Sequence, residues 1–216
     1  AKVLVDYIIK TSITNNNNNN ETAGLTCMAL GGDGLALVGS ENGTAHVCHL
    51  ASKKTVASLR HYEIPINNNN NNNNDEEDDA EELPMSVEAV GFASNVNWCA
   101  TGGMDGVLKI WDVPSASCRK VCRVEEDTSG ITRLQWHSSL PLVATSSSGG
   151  VLRLWDARNG NLLQTKTGHK DTINDMSIAT WGEHVVTIVT GSDDKTVRVF
   201  DLEIPNTTTT TTTTTT

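Results

Sequence analysis

Two stretches constrain this chain more than anything else in it: residues 102–112, GGMDGVLKIWD, and residues 146–156, SSSGGVLRLWD. Each reads as a turn, an alternating strand and a terminal Trp-Asp. In the first, Val107, Lys109 and Trp111 fall on one side and Leu108, Ile110 and Asp112 on the other, because strand side chains alternate with period two. Trp155 and Asp156 close the second. Residues 191–201, GSDDKTVRVFD, repeat the pattern with Phe200 standing before Asp201 in place of Trp. Residues 39–49, GSENGTAHVCH, are a more worn copy. Trp111 and Trp155 are 44 residues apart, and Trp155 and Phe200 are 45 apart. Cys48 and Trp111 are 63 apart, the excess being an Asn-rich and acidic tract between them.

A period near ~40–45 residues ending in Trp-Asp is the signature of the WD40 β-propeller repeat, and three copies in register make the assignment specific. The expected fold is all-β: about four blades of a WD40 β-propeller, part of a ring that closes with seven. Residues 1–14 read as a strand of a preceding or a closing blade, and 15–20 as an Asn-rich loop. Residues 21–60 form a blade, 61–85 an Asn-rich and acidic loop insert, and 86–124 and 125–167 two further blades. Residues 168–204 make an incomplete blade of three strands, with a raw sheet edge open to pairing, and 205–216 a Thr-rich disordered tail. The long insert lies between an outer strand and the next inner strand, where closure entropy grows only slowly with length.

The formal charge of −10 is local in origin. Asp75, Glu76, Glu77, Asp78, Asp79, Glu81 and Glu82 place seven acids and no base within residues 75–82, and the remainder of the chain carries only −3. Nucleic acid is therefore disfavoured as a direct partner, and a basic peptide or protein is favoured. No apolar run approaches the ~18–20 residues of a membrane span, so no membrane association is expected. Five cysteines, at 27, 48, 99, 118 and 122, read as reduced, buried thiols of a cytoplasmic or nuclear protein.

In this repeat a His, a Ser or Thr, an Asp and the Trp form a hydrogen-bonded set, the donors satisfying a buried carboxylate. The second blade offers Asp105 and Trp111 without a Gly-His, the third Trp155 with Gly149 where the Asp belongs, and the fourth His169 and Asp194 with Phe200. The first offers Asn42 and Cys48. On this reading no blade holds the whole set, and packing rather than polar networks holds the blades. Ser146, Ser147, Ser148, His169 and Asp171 contain the ingredients of a catalytic triad, but no Gly-x-Ser-x-Gly elbow, phosphate-binding loop or His-Glu-x-x-His accompanies them. The chain is read as non-enzymatic, with neither cofactor nor metal. Cys118 and Cys122 share a strand face by alternation but lie too far apart to chelate, and His46 and Cys48 are read as packing.

Taken in order, ETAGLTCMAL (21–30), the acidic insert, SVEAVGF (86–92), GITRLQW (130–136), GVLRLWDARNGNLL (150–163) and GHKDTINDMSI (168–178) resemble the angio-associated migratory cell protein family, whose fungal members are ribosome-assembly proteins. The resemblance covers the C-terminal part of that family's propeller. It implies a seven-bladed scaffold whose acidic face captures the basic N-terminal segment of a large-subunit ribosomal protein, acting as chaperone or assembly factor. By that resemblance the seven acids of residues 75–82 contribute to the acidic face, with Asp193 and Asp194 as weaker candidates. The competing reading is a general WD40 adaptor, such as a ubiquitin-ligase substrate receptor or a signalling or migration scaffold.

Overall fold

A computed structural model describes residues 12–14, 20–62, 85–180 and 185–204, with side chains described for 23–62, 85–179 and 185–204. The acidic run, most of the N-terminal segment and the Thr-rich tail lie outside the described residues. Every described element is a strand. β1 (Ser12–Thr14) and β2 (Asn20–Thr22) pair antiparallel with each other. β3 (Leu25–Leu30), β4 (Leu35–Ser40), β5 (Thr44–His49) and β6 (Lys54–Arg60) make the first four-stranded meander. β7 (Val87–Phe92), β8 (Trp98–Gly103), β9 (Leu108–Asp112) and β10 (Ser117–Cys122) make the second. β11 (Ile131–Trp136), β12 (Leu142–Ser147), β13 (Leu152–Asp156) and β14 (Asn161–Lys166) make the third. The fourth sheet has three strands, β15 (Ile173–Thr180), β16 (Val185–Ser192) and β17 (Val197–Glu203).

The sheets stack face to face because their strands are apolar on both sides. Leu37, Ala45, Val47 and Leu59 of the first sheet pack on Val87, Val90, Cys99 and Trp111 of the second. On the opposite face of β9, Leu108 and Ile110 meet Ile131, Leu134, Val143 and Trp155 of the third. Leu152 and Leu154, alternating with Trp155, turn to Ile173, Val186, Ile188 and Leu202 of the fourth. Each tryptophan of the repeat thus faces the preceding sheet, and the aliphatics beside it face the next. Full burial of each such side chain contributes about 1.5–3 kcal/mol. Among the described residues no hydrophobic cluster joins the fourth sheet to the first, so the four form an arc. At its two ends Met28 and Leu30, and Val197 and Val199, remain more than 60% exposed.

The first strand of each sheet lies beside the first strand of the next. All four begin with a bulge, between Leu25 and Cys27, Val87 and Ala89, Ile131 and Arg133, and Ile173 and Asp175. The extra residue twists the strand and turns one side chain toward its neighbour. In two sheets that residue is a threonine reaching across the joint: Thr26 donates to the Val87 carbonyl, and Thr132 donates to that of Ile173. The second sheet carries Glu88 at this position.

Between the second and third strands of each sheet, Gly43, Gly106 and Gly150 take φ of 73°, 72° and 75°, the left-handed region that glycine occupies without steric cost. In the fourth sheet the same place is taken by Lys195, at 69°. A different bulge corrects the sequence reading of β10. The register shifts between Cys118 and Lys120, which breaks the alternation and leaves Cys118 exposed while Cys122 is buried. Burial pushes the Cys122 thiol up to about 11 and the Cys99 thiol up to about 12, so both stay protonated near neutrality.

Candidate functional site

The second sheet holds the whole polar set that the sequence reading denied to every blade. The Trp111 indole donates to Thr101 Oγ1 at 2.8 Å, and Thr101 Oγ1 lies 2.6 Å from His61 Nδ1. His61 Nε2 lies 3.3 Å from Asp105 Oδ1, which also accepts the Val107 amide at 3.1 Å. The chain of donors fixes the protons. Thr101 accepts from the indole and gives its own hydrogen to Nδ1, so Nε2 carries the imidazole hydrogen and donates to the carboxylate. His61 is 1% exposed. Burial pushes the Asp105 carboxyl up, but the His61 hydrogen bond and the Val107 amide outweigh it and hold the group below its ordinary value. His61 opens the 61–85 insert, 26 residues ahead of Val87, and that separation hid it from pattern reading.

The other sheets vary the same theme. In the fourth, His169 bonds Thr190 Oγ1 at 2.7 Å through Nε2 and Asp194 at 2.8 Å through Nδ1, while Phe200 meets the ring edge-on at 6.3 Å. The Thr196 hydroxyl, with His169 and the amides of Lys170 and Thr196, holds Asp194 far below the usual carboxylate range. In the third, Trp155 donates to Thr145 Oγ1 at 2.9 Å. Asp127, four residues before Ile131 as His169 is four before Ile173, takes the histidine's place and pairs with Arg153. A Cβ at Gly149 would come within 2.5 Å of Ser129 Oγ, so a turn aspartate there would have to displace that hydroxyl. In the first, the Ser40 hydroxyl lies within hydrogen-bond distance of Asn42 Oδ1 and of the Thr44 carbonyl, and Cys48 lies 3.8 Å from Thr55. The aspartates after the tryptophans anchor turns: Asp112 accepts from the Ser115 amide and hydroxyl, and Asp156 accepts from the Arg158 amide and guanidinium. Asp201 accepts instead from Thr187, across the sheet.

The triad ingredients are not assembled. The hydroxyl of Ser146 meets Thr132 and that of Ser147 accepts the Val151 amide, while His169 is engaged by Thr190 and Asp194. Cys118 and Cys122, and His46 and Cys48, fall into no metal-ligating cluster among the described residues.

What the polar set of the second sheet does hold is the root of the insert. The amides of His61 and Tyr62 both donate to the Gly43 carbonyl, at 2.8 and 3.0 Å. At the other end Ser86 accepts the Met104 amide at 3.0 Å, and its hydroxyl donates to Glu88 at 2.6 Å. Both flanks are therefore fixed between the turns at Gly43 and Gly106, on one rim of the arc. Asp75, Glu76, Glu77, Asp78, Asp79, Glu81 and Glu82 themselves lie outside the described residues. Described acids near that rim include Glu41, which accepts the Gly24 amide at 3.0 Å, and Asp175, 3.6 Å from Arg133.

Antiparallel meanders stacked radially, with one complete Trp–Thr–His–Asp set and partial variants of it tying turn to strand, define a WD40 β-propeller, a protein-interaction fold. The chain belongs to the β-propeller family described as nucleolar protein 10-like, N-terminal domain, whose model matches residues 10–201. It is 33% identical over 183 residues to the angio-associated migratory cell protein of Canis lupus familiaris and 32% identical to that of Homo sapiens, in each case over 84% of this chain and 39% of the relative. An uncharacterised WD repeat-containing protein of Schizosaccharomyces pombe is 29% identical over 86% of this chain and 40% of its own length. The chain thus spans about two fifths of these relatives. The crystal structure of Saccharomyces cerevisiae Sqt1 superimposes with a TM-score of 0.66 at 18% identity, covering 84% of this chain and 46% of that one.

Proposed function

We propose that this chain captures a basic large-subunit ribosomal protein through its acidic insert and shields that client's charge until assembly, in the cytoplasm or nucleus. The observation carrying the reading is the density of seven carboxylates within residues 75–82, in an insert whose two flanks are clamped on one rim. Flanks fixed on the rim tether the anionic segment to the propeller, so a client drawn in by charge is delivered to a rigid scaffold. At physiological ionic strength the attraction acts over about 8 Å, which makes it a device for final capture and rate enhancement.

The test is binding of a labelled basic N-terminal ribosomal-protein peptide to the purified protein and to a variant with the seven acids replaced by Ser or Asn. Affinity should fall as salt rises from about 50 to about 300 mM, and should fall about tenfold or more in the variant. Affinity unchanged by both would overturn the proposal. Ligase subunits without any ribosomal protein in a pull-down would move the reading to a general adaptor.

A further inference from the structure

On the opposite rim, where the first strand of each sheet ends, a cleft of about 280 Å³ opens between the second and third sheets. Its walls are Ala93, Trp98, Trp136, Leu140 and Pro141, and its mouth carries Ser94, Asn95, Ser139 and Arg158. The walls are fixed. The Trp136 indole donates to the Gly91 carbonyl at 3.1 Å, and the Ser94 hydroxyl donates to the Ser138 carbonyl, tying the two turns together. The volume is small for a cofactor but suits one large apolar side chain, the way an interface anchor sits in its pocket.

The mouth carries a charge as well. Arg158 gives Nε and Nη2 to Asp156, at 2.9 and 2.6 Å, but the two partners are unequally exposed: the Asp156 side chain is 6% exposed and that of Arg158 51%. The pair is neutral as a whole, yet it presents its cation to solvent. Beside it the Arg119 guanidinium stacks on Trp98 at 4.4 Å. Among the described residues, no Asp or Glu lines the cleft.

We propose that this cleft is a second docking site, independent of the acidic insert, for a linear acidic peptide bearing one bulky apolar residue. The apolar side chain enters between Trp98 and Trp136, and a neighbouring carboxylate of the peptide meets the outer face of Arg158. The aromatic floor and the exposed guanidinium at the mouth suit an anion attached to an apolar group, because the attraction is local to the outward face of Arg158. With a cationic client on one rim and an acidic peptide on the other, the propeller joins partners of opposite charge.

The test is selection of 12-residue peptides from a random displayed library on the purified protein, followed by fluorescence polarisation with the enriched peptide. Enriched sequences should carry Trp, Phe or Leu within two positions of Asp or Glu. Binding should weaken about tenfold in Arg158→Gln and in Ser139→Glu, the latter placing a like charge at an exposed position that holds no packing. Replacing the seven acids of the insert should leave this binding unchanged, which separates it from capture of the basic client. The proposal fails if no sequence family is enriched, if the enriched peptides lack acids, or if a folded Ser139→Glu variant binds as tightly as the parent. It also fails if single-stranded RNA displaces the peptide from the cleft.

Discussion

Replacing His61 by alanine removes a ring that is 1% exposed and breaks two hydrogen bonds at once. The Thr101 hydroxyl loses its acceptor, which costs about 1 kcal/mol as a neutral bond. Asp105, whose side chain is 16% exposed, loses a donor and keeps only the Val107 amide among its named partners, and a bond to a charged group is worth about 1.5–3 kcal/mol. The space left by the ring adds to the cost, since neighbours relax only partly. The total is about 3–4 kcal/mol. For a chain of this size each kcal/mol moves the midpoint by about 2–4 °C, so thermal unfolding followed by circular dichroism should fall by about 6–16 °C. His49→Ala, at a half-buried ring whose hydrogen bonds among the described residues are all to Ser52 of the adjoining turn, is the control and should shift stability by less than about 0.5 kcal/mol. In a double-mutant cycle, His61→Ala and Asp105→Ala should couple by about 1–3 kcal/mol. A midpoint within about 1 °C of the parent for His61→Ala, or strict additivity in the cycle, would refute the claim that this set supports the blade.

Two further outcomes follow from the variant turns and sets. Burial pushes the Asp127 carboxyl up, but Ser129 and Arg153 more than offset it and leave the group at about 2. Because the folded value is depressed, the pair's stabilisation is fully present above the ordinary carboxylate range near 4 and is lost as pH falls from there through about 2. Urea unfolding measured against pH should show Asp127→Asn less stable than the parent at pH 7, with the gap closing toward pH 2; a constant gap would refute the pairing. Lys195 holds a φ of 69° that costs a side-chain-bearing residue about 1–2 kcal/mol, partly offset by the greater freedom glycine has when unfolded. Lys195→Gly should therefore raise stability by about 0.5 kcal/mol in the same assay, and a loss would show that the lysine side chain holds the turn.

The repeat was legible because its signals are local. Alternation about Trp111 and Trp155, and the turn glycines before each, are decided by strand geometry, and the three hydrophobic interfaces follow from it. His61 was not legible, because the usual short step from histidine to first strand is stretched by the whole insert. Asp127 was missed for a different reason: its spacing to Ile131 is ordinary, but an acid paired with Arg153 replaces a histidine paired with an acid. Aligning on distance to the first strand residue, rather than on residue type, would have found it. Cys118 and Cys122 defeated simple alternation through a bulge that composition does not announce. The cleft at Trp98 was invisible for a simpler reason, since it joins turns about 40 residues apart.

The clamps on either side of the long connection have a practical consequence. Because His61, Tyr62 and Ser86 close their own hydrogen bonds at the two flanks, those bonds do not depend on how long the connection is, and lengthening it costs little in closure entropy. That makes the connection a ready-made socket: a fluorescent reporter or affinity tag spliced between residues 66 and 74 should leave the hydrogen bonds at both flanks, and the sheets they serve, intact.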